Sequence, residues 1–199
     1  SKRHRPQGLD ILYEDRDIIV VDKVPGLLTI ATDKKETNTA YSRLMDYVRK
    51  GNPKCRNPVF IVHRLDRDTS GLVLFALSLA GAQELSALLR DRACEKAYLA
   101  LLEGELRDAE TWEDTIERDR EAGRTVADPD GRLAVAHAAP LIVGGGLTLA
   151  RISLVSGRTH QIRAQAALRG RPLAGDTRYG GAGTPDGYVL HAARFRLPG

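Results

Sequence analysis

With 199 residues, 42% hydrophobic and 28% charged, the chain is long enough to bury a sizeable core and has the composition of an ordinary globular protein. No apolar run is long enough to cross a bilayer, and the basic opening Ser1-Lys2-Arg3-His4-Arg5-Pro6 has no apolar stretch after it, so neither a membrane span nor a signal peptide is expected. Two cysteines, Cys55 and Cys94, make no disulfide framework and lack metal-ligand spacing, which points to a reducing, cytoplasmic-type compartment and away from structural zinc.

The net charge of +4 is unevenly spread. Glu103 to Asp130 holds 11 acidic and 4 basic residues, whereas Arg151 to Gly199 holds 8 arginines and 2 aspartates. One acidic flank and one basic face suit a polyanionic partner, although solvated surface charge has the same signature.

In chain order, residues 1–9 read as a basic, flexible segment. Leu9 to Tyr13 and Asp17 to Lys23 read as short strands, the second buried on both faces. Pro25-Gly26 marks a turn, and Leu27 to Ile30 a returning strand. Tyr41, Leu44, Met45 and Val48 recur at helical spacing over Thr39 to Lys50, which Gly51-Asn52-Pro53 ends.

Val59 to Val62 and Leu72 to Ala76 are strand-like and enclose the polar loop His63-Arg64-Leu65-Asp66-Arg67-Asp68-Thr69-Ser70-Gly71. A helix follows over Leu79 to Arg92, then strands at Lys96 to Leu102, Glu110 to Ile116, Ala134 to Ala139 and Leu147 to Val155. Asp128-Pro129-Asp130-Gly131 is a turn. The spacing predicts a further helix over Thr159 to Arg169, capped by Ser156 or Thr159 and ended by Gly170. Pro172 to Gly183 reads as glycine-rich loop and Tyr188 to Phe195 as a last strand. Many strands and about three helices, without βαβ alternation, predict an α+β domain from residue 10 to 199 around a large mixed, mostly antiparallel sheet.

Three chemistries compete for the polar residues. Asp66-Arg67-Asp68-Thr69-Ser70-Gly71 resembles the start of a calcium loop, but the twelfth position, which should be Glu, is Leu77. Gly144 to Gly146 and Gly180 to Gly183 could approach phosphate, but neither has a P-loop or dinucleotide spacing. The third is a carboxylate with a basic partner: Asp66 beside Arg64 or Arg67 would be held ionised, its pKa lowered by ~1–3 units, and could act as nucleophile or base. His160 and Arg163, three apart, share one face of the predicted helix. Arg158 and nearby backbone N–H groups could meet a phosphate. An Asp among Ser, Thr and Gly is also a common turn residue, and spacing alone leaves that open.

The motifs go further. His63 to Gly71 resembles the active-site signature of RluA-type pseudouridine synthases. Ile18 to Lys23 with Pro25-Gly26-Leu27, Lys96-Ala97-Tyr98-Leu99-Ala100, Gly157-Arg158-Thr159-His160-Gln161-Ile162-Arg163, Pro172 to Asp176, Tyr179-Gly180 and Leu190-His191-Ala192 resemble further motifs of that family, in its order. Where the family has Lys-Pro-Ala-Gly, this chain has Lys23-Val24-Pro25-Gly26, in a region that looks structural.

The resemblance implies a pseudouridine synthase fold and the isomerisation of specific uridines to pseudouridine in ribosomal or transfer RNA, without metal or other cofactor. It implies that Asp66 is the essential carboxylate, that Arg163 pairs with it at ion-pair distance, and that Tyr98 stacks on the flipped base. It further implies that Arg64 fills the vacated place and that Ile162 packs on the uracil; Arg158, His160 and Arg67 are expected, from their charge and spacing, to bind the substrate as well. A monomer is expected, with no membrane partner; residues 1–9 leave no room for the small RNA-binding domain that some relatives carry, so either the catalytic domain recognises the RNA itself or a further domain lies outside this sequence. Two rivals remain: a catalytically idle RNA-binding or RNA-chaperone protein on the same fold, and a metal-dependent phosphoesterase using Asp66, Asp68 and His63.

Overall fold

The β-branched run Ile18-Ile19-Val20-Val21 forms the first four residues of a strand, in keeping with its composition. The computed structural model describes residues 6, 8–32, 36–50, 52 and 54–198. Most of the basic segment expected to be flexible, residues 1–5 and 7, lies outside them. The chain divides into two compact units, Ser1–Ala93 and Cys94–Gly199. Together the described residues form ten strands and three α-helices, the α+β class expected.

In the first unit, β1 (Leu9–Glu14) pairs antiparallel with β2 (Ile18–Lys23). β2 in turn pairs antiparallel with β4 (Ser70–Ala76), and β3 (Phe60–Ile61) lies on the outer part of β4. Val73, Leu74, Phe75 and Ala76 are buried in succession, so β4 is covered on both faces. β2 is covered fully on one face only: Ile19, Val21 and Lys23 are buried while Ile18, Val20 and Asp22 are half-buried.

Helix α1 (Ala40–Val48) starts with a reciprocal capping box, in which Ser42 N–H donates to Thr39 Oγ1 and Thr39 N–H to Ser42 Oγ. Such a cap contributes ~1 kcal/mol. Helix α2 (Leu79–Arg90) is capped by Ser78, whose hydroxyl accepts from Gly81 N–H and donates to Asp17.

Leu27 to Ile30 does not form the expected strand. Leu28 makes a single bridge to Thr39, and the backbone of this segment serves other partners. Leu27 O accepts from Lys23 Nζ, while Leu28 O and Thr29 O accept from Ala40 N–H and Tyr41 N–H at the start of α1.

In the second unit, the strand order is β10 (Leu190–Arg196), β5 (Glu95–Glu103), β9 (Leu147–Leu154), β8 (Arg132–Gly144), β6 (Glu110–Asp119), β7 (Arg124–Ala127), and each strand in this order pairs antiparallel with the next. β7 falls in a stretch that reads as loop in the sequence. Its four residues gain their ladder from β6, paired Ile116↔Ala127 through Asp119↔Arg124.

Ala100, Ala136, Ala138 and Ala150 line the core beside Trp112 and Ile152, and these small side chains let α3 (Gln161–Leu168) lie close. Two buried glutamines tie that helix to the sheet: Gln161 Nε2 donates to Val135 O, and Gln165 Nε2 to Trp112 O and Ala134 O.

Neither Ser156 nor Thr159 caps α3. The N-cap is His160, in the left-handed region at φ 53°. No side chain caps the helix; Gln161 Oε1 instead closes the turn before it by accepting from Arg158 N–H at 3.0 Å. The C-terminus follows expectation: Gly170 N–H donates to Ala167 O and Arg171 N–H to Ala166 O, a Schellman ending around Gly170 at φ 68°. Among the described residues no helix is long and apolar enough to cross a membrane.

Candidate active site

Asp66 sits on the loop between β3 and β4, half-buried, with its carbonyl accepting from Thr69 N–H at 3.2 Å. The loop is pinned on both sides of it. Before Asp66, Leu65 is buried and exchanges two bonds with one hydroxyl: Leu65 N–H donates to Thr29 Oγ1, which donates to Leu65 O. After Asp66, Arg67 O accepts from Lys23 Nζ and from Gly26 N–H, each at 2.9 Å. Further back, His63 Nε2 accepts from Leu74 N–H on β4, which fixes the proton of the neutral ring on Nδ1.

Lys23 is the buried centre of this arrangement. Its Nζ donates to three carbonyls, those of Val24, Leu27 and Arg67, at 3.0, 2.7 and 2.9 Å. Burial pulls its pKa down to about 8, and the charges of Asp68 and Asp66 pull it back up. At neutral pH the first unit therefore holds an ammonium within electrostatic reach of Asp66. The region Lys23 to Gly26, expected to be merely structural, is what fixes the carboxylate loop. Its signal in the sequence is a lysine in the last position of a buried strand, where a charge needs partners.

Arg64 and Arg67 are exposed. Arg67 Nη2 reaches Glu36 at 2.8 Å in a solvent-exposed ion pair, which is worth little to stability.

In the second unit Tyr98 lies on β5, on the same strand face as Ala100 and Leu102, and packs half-buried against the core. It is flanked by Ile152 on β9 and Ala192 on β10. Arg163, on α3, is held far more tightly than its sequence context suggests. Its Nε and Nη2 bond both oxygens of Asp176 at 2.8 Å each, with side-chain exposures of 7% and 1%. The guanidinium carbon lies 4.8 Å from the centre of the Tyr179 ring and 4.4 Å from that of Tyr188. A guanidinium fixed by a bidentate carboxylate and two aromatic faces has one orientation left to it.

The glycine-rich stretch expected to be loop, and weighed as a phosphate cradle, serves the structure by carrying Asp176. Asp176 N–H donates to Leu173 O, and Asp176 O accepts from Tyr179 N–H and Gly181 N–H around a single 3₁₀ turn, Thr177–Tyr179. A Cβ on Gly175, at φ 88°, would collide with the Gly187 carbonyl, and one on Gly181 with the Leu173 carbonyl.

The remaining predicted residues divide. His160 Nδ1 meets Tyr179 Oη at 2.8 Å and Arg118 Nη1 at 3.1 Å. Arginine only donates, so Nδ1 is the acceptor and the proton of the neutral ring is on Nε2. Ile162 is 4% exposed within the core. Arg158 is half-buried, its Nε on Leu133 O, and its backbone N–H is taken by Gln161, so that N–H does not serve as the phosphate donor expected. Sequence reasoning assigned no role to Asp176, Tyr179, Tyr188, Lys23 or Thr29. Asp176, Tyr179 and Lys23 stand inside the quoted motifs, so position within a motif was the signal that could have found them.

Chemically, the first unit offers a half-buried carboxylate on a pinned loop beside a buried cation. The second offers an oriented guanidinium and a half-buried tyrosine ring. Among the described residues no group of three or more His, Cys, Asp and Glu side chains is placed to hold a metal, and the neutral His63 ring has already spent Nε2 on Leu74.

Residues 17–168 match the family model described as RNA pseudouridylate synthase. The chain is 35% identical over 177 residues to the Bacillus subtilis protein named RNA pseudouridine synthase YhcT, covering 87% of this chain and 58% of that one. It is 35% identical over 193 residues to ribosomal large subunit pseudouridine synthase D of Pseudomonas aeruginosa, covering 96% and 55%. The chain thus spans a little over half the length of these relatives. Among solved structures, human RNA pseudouridylate synthase domain containing 1 superposes with a TM-score of 0.78 at 25% identity, covering 100% of this chain and 82% of that one.

Proposed function

Because the chain belongs to the RNA pseudouridylate synthase family, we propose that it converts uridine to pseudouridine in RNA with the Asp66 carboxylate as the essential group. The observation that carries this reading is the family match over residues 17–168, which includes Asp66, Tyr98 and Arg163. The pinning of the Asp66 loop by Lys23, Gly26 and Thr29 supports it, since a reacting group is best held on a rigid backbone.

The reaction is an isomerisation. The C1′–N1 bond breaks, the uracil turns, and C5 bonds to C1′, while C5 loses a proton and N1 gains one. Atoms and electrons balance without a redox partner. Asp66 acts on the nucleotide as nucleophile or base, and Arg163 keeps that carboxylate ionised. Tyr98 stacks on the base, which must leave the helix before it can turn. Arg64 fills the vacated place and Ile162 lies against the uracil. Arg67, Arg158 and His160 meet the RNA strand.

Relatives named for the large ribosomal subunit make its RNA the first substrate to try, with transfer RNA second. The protein acts in the cytoplasm as a monomer in this reading. The test is release of tritium from RNA labelled at uridine C5. Asp66→Asn and Asp66→Ala abolish release and leave RNA binding in place. Unchanged release in either variant sinks the catalytic role, and a wild-type protein that binds RNA without release favours an idle RNA-binding protein.

A further inference from the structure

Lys96 stands two residues before Tyr98 on β5 and has no part in the roles assigned above. Strand alternation puts the two side chains on one face, about 7 Å apart along the strand. The register agrees: Lys96 lies opposite Leu154 and Tyr98 opposite Ile152, with no shift between the pairs. Leu154 and Tyr98 both pack against the core, so the lysine stem runs beside an apolar surface and carries its charge to the edge of it.

That charge is poorly compensated. Lys96 is half-buried, yet among the described residues its Nζ has neither a hydrogen bond nor an ion pair. Its contact with the Phe195 ring, at 5.9 Å, is at the outer limit of a cation–π pair. The neighbouring Cys94 thiol is pushed up by burial and is uncharged at neutral pH, so it offers no counter-ion. Burial pulls the Lys96 pKa below the usual lysine value. Lys23 faces the same penalty but has three carbonyls around its Nζ. A charge kept half-desolvated without such partners costs the fold stability, a pattern expected where a ligand completes the site.

The approach to Lys96 is open. Gly157, in the turn before α3, is exposed. Among the described residues beyond its chain neighbours, a Cβ added there would come within 4 Å of Lys96 Nζ alone, at 3.7 Å. Glycine thus leaves clear a space that any other side chain would begin to fill. An anion entering past Gly157 meets the ammonium, and its charge favours the protonated form that burial disfavours. A base carbonyl would leave the charge uncompensated, whereas a phosphodiester neutralises it. We propose that Lys96 binds a phosphodiester of the RNA strand next to the uridine whose base lies on Tyr98. The inference rests on the proposed action on RNA and deepens it: one strand face holds the base by stacking and the backbone by charge, and the backbone contact sets the register of the strand.

Filter binding of pseudouridine-free transcripts of ribosomal and transfer RNA, repeated over a range of KCl concentrations, tests it. Lys96→Gln should weaken binding about tenfold or more and reduce the slope of log affinity against log salt by about one. Lys96→Arg keeps the charge and should restore both. Gly157→Val alters no charge but stands in the approach, so it should reproduce the loss seen in Lys96→Gln; melting curves confirm that the variants are folded. An unaltered slope in Lys96→Gln overturns the proposal. So does a wild-type slope in Gly157→Val, which would mean that Lys96 attracts RNA only from a distance. Lys96→Met removes a desolvated charge, and its urea midpoint should equal or exceed that of wild type; a clear fall would make the lysine a structural element and overturn the proposal as well. A wild-type protein whose RNA binding depends on Lys96 but that releases no tritium from C5-labelled RNA would leave the site standing and remove the isomerase reading instead.

Discussion

Arg163 and Asp176 form a bidentate pair, Nε to Oδ2 and Nη2 to Oδ1, both at 2.8 Å and both nearly sealed from solvent. The pair spans 13 residues of chain and joins α3 to the turn after it. Removing Asp176 takes two charge-assisted bonds from a buried guanidinium. Asp176→Ala should cost about 3–5 kcal/mol in urea unfolding. Asp176→Asn keeps an acceptor and the shape, so it should cost less and remain folded. In Asp176→Asn the guanidinium loses its fixed aim, and tritium release from RNA should fall by up to about a hundredfold. Equal stability of wild type and Asp176→Ala would show that the pair does not anchor the turn.

Gly26 and Gly175 share nearly the same backbone geometry, φ 85° and φ 88°, and differ in surroundings. An alanine at 26 meets open space, whereas one at 175 meets the Gly187 carbonyl and the Thr184 hydroxyl. Gly26→Ala should therefore cost only the left-handed backbone penalty, about 1 kcal/mol. Gly175→Ala should add overpacking to it, for a total of roughly 2–4 kcal/mol. Chemical denaturation of the two variants measures the difference, and equal costs would remove the argument that close packing positions Asp176.

Local pattern made some of this fold legible and left other parts silent. The run Ile18 to Val21 could be little but a strand, and Gly170 after a helical stripe could be little but its end. Leu27 to Ile30 has a strand's composition too, yet its carbonyls are claimed by Lys23 and by the start of α1, partners set by tertiary structure. β7 was hidden because Arg124–Ala127 is too short to show a period, and only its pairing with β6 makes it a strand. The cap of α3 failed for a similar reason: the helix begins at His160 in the left-handed region without a side-chain cap, and Ser156 is committed to Val135 and Gln161. At the site, Asp66, Tyr98 and Arg163 are legible because each is a chemically suited side chain inside a motif. Lys23 and Asp176 act through another residue's backbone or guanidinium; their place in a motif marks them, but the partner each serves is set by tertiary structure.

Tyr98 gives a test that separates the ring from its hydroxyl. Tyr98→Phe keeps the aromatic face on β5, so RNA binding should stay within about twofold while turnover falls if the hydroxyl moves a proton, a step worth about 10²–10⁴. Tyr98→Leu removes the ring and should weaken binding by about tenfold, the value of one stacked base. Filter binding and single-turnover tritium release read the two effects apart. A Tyr98→Phe enzyme as fast as wild type would confine the residue to stacking.

Lys23 links the stability of the first unit to pH. Met at this position matches its length but strands three carbonyls, each costing about 1–3 kcal/mol when left unsatisfied in the interior. Lys23→Met should therefore be destabilised by about 3 kcal/mol or more at neutral pH, even though it relieves a buried charge. The pH dependence follows from the direction of the shift. The folded pKa, about 8, lies below the unfolded value of about 10.4. Between them the unfolded chain holds a proton that the folded chain has released, so unfolding takes up a proton. Wild-type stability relative to Lys23→Met should be flat below pH 8 and rise above it, by at most about 1.4 kcal/mol per pH unit. Urea midpoints of both proteins from about pH 6 to 10 measure this. A relative stability that stays flat up to about pH 10 would mean that the three carbonyls hold the proton as firmly as burial expels it, and that the cation beside Asp66 persists to that pH.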